Sequence, residues 1–197
     1  MSVGFLVLFV CTGNICRSPL AERLFRSRVA DYPVIETASA GVAGLTGRAM
    51  DAPSAQALHE LGVDPRGHVA RRLSPQLVSE AALILTAETS HRSVVVQSDP
   101  LVFRHAFTLR EFGRLGAGLG PLSDAPTPPS REALAARVLE VAGQRGWADP
   151  IPEGADDIAD PYGCPIEVAR GCAGEIDEAV DRAVAVLGLS VRSGRGS

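Results

Sequence analysis

The chain has 197 residues, of which 46% are hydrophobic and 21% are charged, and its formal net charge is −4. This length and composition are typical of one soluble globular domain, and the negative charge argues against nucleic acid or an anionic membrane as the main partner. All 19 basic residues are arginine, which excludes a Walker-type nucleotide loop, because the lysine of that loop contacts the terminal phosphates.

Apolar segments and amphipathic segments alternate along the chain and predict strands and helices. The strands are expected at residues 3–10, 34–40, 81–87 and 102–107. The helices are expected to begin near Ser18 and Pro19 and to cover residues 52–63, 88–98, 131–147 and 166–187. Between them, residues 116–130 are rich in glycine and proline, which predicts a mobile linker.

Strands that alternate with helices imply right-handed crossovers and a parallel sheet. We therefore expect an α/β fold of three layers, in which a four-stranded parallel sheet is flanked by helices. Residues 1–190 are expected to form a single domain with an insertion at about 104–150, and residues 191–197 a flexible tail.

The cellular compartment is suggested by the start of the chain and by its cysteines. The apolar segment Val3 to Val10 has no basic residue before it and is too short to span a bilayer, so we expect neither a secretory signal nor a transmembrane helix. Four cysteines, two of them only five positions apart, suggest a reducing compartment. We therefore expect a cytoplasmic protein.

The sequence C-T-G-N-I-C-R, residues 11–17, follows the first predicted strand, at the edge of a parallel sheet where ligands bind. A loop that closes onto a helix start can direct its backbone N–H groups at one anion, and Gly13 and Asn14 are residue types that tolerate the left-handed backbone this requires. Arg17 adds a guanidinium matched to two phosphate oxygens. The same positive field favours a thiolate at Cys11, which is a nucleophile for phosphoryl transfer.

A longer segment, VCTGNICRSPLAE, resembles the signature loop of the low-molecular-weight protein tyrosine phosphatases. Further pieces follow in the order of that family, namely SAG at 39–41, HVARRL at 68–73 and DPYG at 160–163. The resemblance covers roughly residues 3–100 and 158–188. It implies a phosphomonoesterase that acts on a phosphorylated substrate, expected to be a phosphotyrosine protein, without a metal or an organic cofactor.

The resemblance also implies roles for individual residues. Cys11 would be the nucleophile, Arg17 would bind the phosphate and stabilise its transition state, and Asp160 would be the general acid and base. Substrate and phosphate binding are implied for Thr12, Gly13, Asn14, Ile15, Cys16, Ser18, Leu45 and Tyr162. Ser39 and His68 would brace the loop.

Some of these roles have alternatives. Asp-Pro occurs four times in the chain, and Asp156 and Asp157 compete with Asp160 for the role of acid. Cys16 is either a redox guard that traps an oxidised Cys11 as a disulfide or a packed small residue. The loop after SAG lacks an aromatic residue to clasp a phenol ring, so a small phosphomonoester is an alternative to phosphotyrosine.

Two other functions fit a loop of this kind. A thiol-dependent arsenate reductase shares the fold, but its disulfide relay needs two further cysteines in the middle of the chain, and none lies between Cys16 and Cys164. A non-catalytic phosphate-binding module would lack the nucleophile or the acid, and this chain has both Cys11 and Asp160. The sequence indicates no oligomeric state.

Overall fold

The computed structural model of the protein describes residues 4–120, 122 and 128–190, which form four β-strands and seven α-helices. The strands are β1 (Phe5–Cys11), β2 (Ile35–Gly41), β3 (Leu83–Thr86) and β4 (Ala106–Thr108). The helices are α1 (Arg17–Arg28), α2 (Ala52–Glu60), α3 (Pro75–Glu80), α4 (Thr89–Ser98), α5 (Leu109–Gly116), α6 (Arg131–Gly143) and α7 (Ile166–Val186). Two short 3₁₀ helices cover Pro100–Arg104 and Gln144–Gly146.

The four strands form one parallel sheet in the order β2-β1-β3-β4. Every residue of β1 is buried, as expected for a central strand that is covered on both faces. This arrangement confirms the predicted α/β fold. The carboxyl ends of the strands meet at one edge of the sheet, where Cys11 of β1 lies beside Gly41 of β2.

Alternate side chains of β1 divide the hydrophobic core into two layers. Phe5, Val7 and Phe9 pack with apolar residues of α1, α2, α5, α6 and α7 on one face of the sheet. The residues between them pack with α3 and α4 on the other face. None of the helices in the described ranges combines the length and the hydropathy needed to cross a bilayer.

The predicted fourth strand at residues 102–107 is wrong in its first half. Residues Pro100–Arg104 form a 3₁₀ helix, and the strand itself covers only Ala106–Thr108. Proline fixes the backbone at the start of this turn, and the Asp99 side chain accepts a hydrogen bond of 3.0 Å from the backbone N–H of Leu101. A local turn with its own cap therefore outweighs the strand propensity of the apolar residues.

Helices α3 and α5 are absent from the elements predicted above. Helix α5 begins with a capping box, in which the Thr108 side chain accepts from the backbone N–H of Glu111 and the Glu111 carboxylate accepts from the backbone N–H of Thr108, both at 3.1 Å. The sequence T-x-x-E before an apolar residue is a known signal for a helix start. Helix α3 has only six residues, and Ser74 caps it.

The predicted insertion contributes a helix to the core. Leu134, Val138 and Val141 of α6 are buried in the same layer as α5 and α7. The predicted linker at 116–130 starts inside α5, and its residues 121 and 123–127 lie outside the described residues, as does the predicted tail at 191–197. The domain limits stay a prediction.

The buried Glu111 carboxylate connects Arg145, near the end of the predicted insertion, to the helices and strands around the sheet. Glu111 accepts hydrogen bonds from Arg92 of α4 at 2.7 Å and from Arg145 at 2.9 Å. The Arg145 guanidinium also lies 4.1 Å from the ring centroid of Phe107 in β4. Burial opposes ionisation of Glu111, but the two arginines outweigh it and hold its pKa below the ordinary value.

We predict that helix α6 is required for stability. Leu134→Ala should lower the free energy of unfolding by about 2–5 kcal/mol, because it leaves a cavity among fully buried side chains. The matched control is Leu139→Ala on the same helix, where the side chain is 43% exposed and the change should stay within about 0.5 kcal/mol. Urea denaturation measures both variants, and equal small losses would show that α6 is only a surface attachment.

Candidate active site

The loop between β1 and α1 holds the residues of the predicted phosphate site. Cys11 is the last residue of β1, and Arg17 is the first residue of α1. Among the described residues other than glycine, only Asn14 has a positive φ, at 56°. Asparagine is one of the few residues that adopt this left-handed conformation readily, so Asn14 lets the loop turn back toward the helix start.

The Asn14 side chain and carbonyl hold this turn in place. Its amide nitrogen donates to the hydroxyls of Ser18 and Ser39, both at 2.9 Å. Its side-chain oxygen accepts from the backbone N–H of Arg71 at 2.9 Å, and its backbone carbonyl accepts from His68 Nε2 at 2.7 Å. The structure therefore places Ser39 and His68 against the loop, where bracing residues are needed.

His68 is half buried, and burial is the main cause that lowers its pKa, although the hydrogen bond to the Asn14 carbonyl opposes the shift. A carbonyl can only accept, so the proton of the neutral imidazole sits on Nε2. The bracing bond of His68 is therefore made without a positive charge.

The Cys11 sulfur lies 3.0 Å from the Ser18 hydroxyl, and both residues are buried. Because the Asn14 amide nitrogen can only donate, Ser18 accepts from it and keeps its own proton free for another acceptor. That proton can be donated to the sulfur or, at 3.4 Å, to the carbonyl of Ala40. The geometry thus provides a donor for a Cys11 thiolate.

Arg17 is a buried cation, only 2% exposed, that contacts three other segments. Its Nη1 donates to the Glu88 carboxylate and, at 2.8 Å, to the carbonyl of Ile158. Its Nη2 donates to Asp160 Oδ2 at 2.8 Å and to Thr12 Oγ1 at 3.3 Å. Its Nε is buried and has no hydrogen-bond partner within the described part of the chain.

The three candidate acids are held differently. Asp157 accepts hydrogen bonds from the backbone N–H and the hydroxyl of Thr89 at 2.7 and 2.9 Å, so it caps α4. Asp156 pairs with Arg114 at 2.7 Å. Asp160 alone of these three contacts Arg17, and its side chain is 44% exposed. Asp160 is thus the carboxylate that is both beside the loop and open to a substrate.

The rim beside the loop is formed by apolar side chains. The backbone N–H of Leu45 donates to the Gly13 carbonyl at 3.0 Å, and the partly exposed Leu45 side chain lies over Gly13. Tyr162, also exposed, follows Asp160 and donates its backbone N–H to that carboxylate at 3.2 Å. Leu45 and Tyr162, two of the eight residues predicted to bind the substrate or its phosphate, are therefore exposed at the mouth of the site.

Gly41 allows the loop to approach β2. A Cβ atom at this position would lie 2.4 Å from the Thr12 carbonyl oxygen and 2.9 Å from the Asn14 nitrogen. Any other residue would push the loop away from the sheet.

Ile15 and Cys16 turn their side chains away from solvent, into a small buried cluster with Ala70. Burial raises the pKa of the Cys16 thiol to about 12. Cys172 is also buried, with its sulfur 3.7 Å from the Ala159 carbonyl oxygen, and burial raises its pKa to about 12 as well. All four cysteines of the chain are free thiols in this structure.

Sequence reasoning missed two carboxylates at the site. Glu88, which pairs with Arg17, directly follows the buried end of the β3 region, and a charge at that point of a parallel sheet is a usable signal. Glu22 is buried on α1 and accepts from Ser39 at 2.6 Å. Its position four residues after Ser18 places it on the same helix face, but its partner comes from β2, which spacing alone does not reveal.

Comparison with known proteins identifies the family. Residues 6–119 match the family described as low molecular weight phosphotyrosine protein phosphatase. The chain belongs to this family. It is 29% identical to a protein-arginine-phosphatase from Geobacillus stearothermophilus, over 90% of this chain and 93% of the relative. It is 32% identical to a probable low molecular weight protein-tyrosine-phosphatase, AmsI, from Erwinia amylovora, over 74% of this chain and 96% of the relative.

A solved structure agrees with this assignment. The low molecular weight protein tyrosine phosphatase from T. tengcongensis is 30% identical and superimposes with a TM-score of 0.68, over 92% of this chain and 99% of that one. The predicted family and fold are therefore confirmed, and the chain is a hydrolase of the protein-tyrosine-phosphatase type. The family match ends at residue 119 and does not include Asp160, the residue predicted to be the general acid.

We predict that Asn14 contributes both its backbone conformation and its side chain. Asn14→Gly keeps the left-handed turn but loses the three bracing bonds of the side chain, whereas Asn14→Ala disfavours the turn and loses these bonds as well. Vanadate binding, measured by calorimetry, should weaken in both variants, and more in the alanine variant. Equal affinities in the two variants would mean that the backbone conformation makes no separate contribution.

Proposed function

We propose that this protein is a cysteine-dependent phosphomonoesterase that forms a phosphocysteine intermediate. The observation that carries the proposal is that Arg17 Nη2 lies 2.8 Å from the Asp160 carboxylate, while the loop that begins at Cys11 ends at Arg17. A nucleophile, a cation for the phosphate and an acid thus converge on one site. Its substrate is proposed to be a phosphorylated protein.

Substrate binding would use the donors of the loop. Backbone N–H groups of residues 12–17 and the Nε group of Arg17 would bind the phosphoryl oxygens, which satisfies the Nε donor that is otherwise buried without a partner among the described residues. Glu88 and the Ile158 carbonyl hold the other side of the guanidinium, so Arg17 keeps its orientation when the anion arrives. Such preorganised donors stabilise the charge of the transition state.

Catalysis would proceed in two displacements. In the first, the Cys11 thiolate attacks phosphorus, the phosphorus–sulfur bond forms, and the bond to the leaving oxygen breaks as Asp160 gives that oxygen its proton. In the second, Asp160 takes a proton from water, the water oxygen attacks phosphorus, and the thiolate leaves. Ser18, at 3.0 Å, donates a hydrogen bond to the departing sulfur.

We predict distinct effects for the two central residues. Cys11→Ser should abolish turnover of p-nitrophenyl phosphate while phosphate binding survives, because the loop donors and Arg17 are retained. Asp160→Ala should lower kcat about 10²–10⁴-fold, and more for alkyl than for aryl phosphates, whose leaving groups need the proton less. Steady-state kinetics and calorimetry measure both effects. Near-normal turnover in Cys11→Ser would remove the mechanism.

The proposed substrate class is phosphotyrosine protein. The exposed Leu45 and Tyr162 side chains at the rim offer apolar surface to an aromatic ring, and contacts with aromatic rings bury large apolar areas. A second candidate, phosphoarginine protein, is favoured by the similarity to a relative named protein-arginine-phosphatase over 90% of this chain. Its leaving nitrogen would also need the proton of Asp160. The free thiols fit the cytoplasmic location proposed for the enzyme.

We predict the order of substrates from this rim. A phosphotyrosine peptide should have a kcat/KM about tenfold or more above that of a small sugar phosphate, and Leu45→Ala should reduce the difference. A phosphoarginine peptide of the same sequence is the matched comparison. Faster hydrolysis of that peptide would establish the second candidate, and a preference for the sugar phosphate would contradict both.

A further inference from the structure

A buried histidine contacts the loop from outside the motif. His91 lies on α4 and is 4% exposed, and its Nε2 is 2.8 Å from Thr12 Oγ1. Thr12 follows the nucleophile and is exposed at the mouth of the site. The two residues are 79 positions apart, so the contact exists only because β1 and the start of α4 meet at the same edge of the sheet.

The surroundings of His91 determine which of its nitrogens carries the proton. Burial is the main cause that lowers its pKa, although nearby Glu88 opposes the shift, so the imidazole is neutral at physiological pH. Its Nδ1 is buried, and no hydrogen-bond partner for it is found among residues 4–120, 122 and 128–190. A buried N–H without an acceptor is rarer and costlier than an unpaired acceptor. The proton therefore sits on Nε2, and His91 donates to Thr12.

This donation restricts the Thr12 hydroxyl. The same oxygen accepts from Arg17 Nη2 at 3.3 Å, because a guanidinium can only donate. A hydroxyl has two lone pairs and one proton, so both acceptor positions are now filled and only the proton is free. The oxygen that carries this proton lies 3.3 Å from the same Nη2 group that contacts Asp160 Oδ2 at 2.8 Å, so the hydroxyl is close to the acid side of the loop.

We infer that His91 is a positioning residue for phosphoryl binding: it fixes the Thr12 side chain so that the hydroxyl donates a hydrogen bond to the phosphoryl oxygen nearest Asp160. The inference rests on the proposed function, because it requires an anion in the loop. It adds a side-chain donor to the backbone donors, and a hydrogen bond to an anion is stronger than one between neutral groups. His91 itself does not touch the substrate.

The test is a double-mutant cycle on vanadate affinity, measured by calorimetry. Thr12→Val and His91→Leu should each weaken vanadate binding about tenfold, since each removes or misdirects one charge-assisted hydrogen bond. The double variant should bind no more weakly than Thr12→Val alone, because His91 acts through that hydroxyl. Thr12→Ser and His91→Gln keep the two donors and should stay within about threefold of the wild-type affinity.

The matched control is His105→Gln. His105 is half buried, and its pKa, like that of His91, is lowered chiefly by burial, but it precedes β4, at the opposite end of the sheet from the loop. This variant should bind vanadate like the wild type. Additive losses in the double variant, or an unchanged affinity in Thr12→Val, would overturn the inference.

A spectroscopic measurement decides the matter if His91→Leu fails to fold. Nitrogen-15 NMR of the wild-type protein should show the tautomer of His91 with its proton on Nε2, and a proton on Nδ1 would overturn the inference. Calorimetry does not require turnover. A wild type that binds vanadate but hydrolyses no phosphomonoester would therefore contradict the proposed function without deciding the role of His91.

Discussion

A buried guanidinium ties the parts of this molecule together. Arg17 is almost fully removed from solvent, and a cation in that position is stable only when carboxylates and carbonyls accept its hydrogen bonds. Its partners, Glu88, Ile158 and Asp160, come from two distant segments of the chain. Removing one of these partners would leave the buried charge less well compensated, so the loop, the start of α4 and the segment that carries Ile158 and Asp160 are held together.

The sheet supplies the place where they meet. In a parallel sheet all carboxyl ends lie at one edge, so Cys11 after β1 and Glu88 after β3 become neighbours although they are far apart in sequence. The segment that carries Asp160 reaches this edge through the hydrogen bond from the Ile158 N–H to the Ala87 carbonyl, at 2.9 Å. Ordinary strand order, rather than any special local feature, brings the candidate site residues together.

Local patterns predict the elements that depend on local forces. The apolar run that ends at Cys11 indicates a doubly covered strand, and the residue types at Gly13, Asn14 and Arg17 indicate an anion site through their chemistry alone. Where a predicted element is wrong, another local interaction or a contact with a distant segment determines the backbone conformation. Asp99, for example, caps a turn inside a segment whose apolar residues favour a strand.

The spacing of residues along the sequence does not predict contacts between distant segments. Glu88 and His91 lie 71 and 79 residues from the loop side chains they contact, and nothing in their own neighbourhood identifies those partners. The burial of α6 was not predictable for the same reason. The glycine- and proline-rich residues before it suggest a segment on the surface, but the apolar side chains of the helix pack in the core. The roles of Cys11, Arg17 and Asp160 remain proposals, which the geometry supports.

The two aspartates that precede Asp160 have a consequence for the acid role proposed for it. Asp156 is held by Arg114 of α5, and Asp157 is held by the first turn of α4, so contacts within the protein anchor the segment that carries Asp160. An acid on such a segment needs no swinging lid, and its conformational entropy is lost during folding instead of in each catalytic cycle. Turnover in such an enzyme would be limited by bond making or product departure, and not by closure of the acid over its substrate.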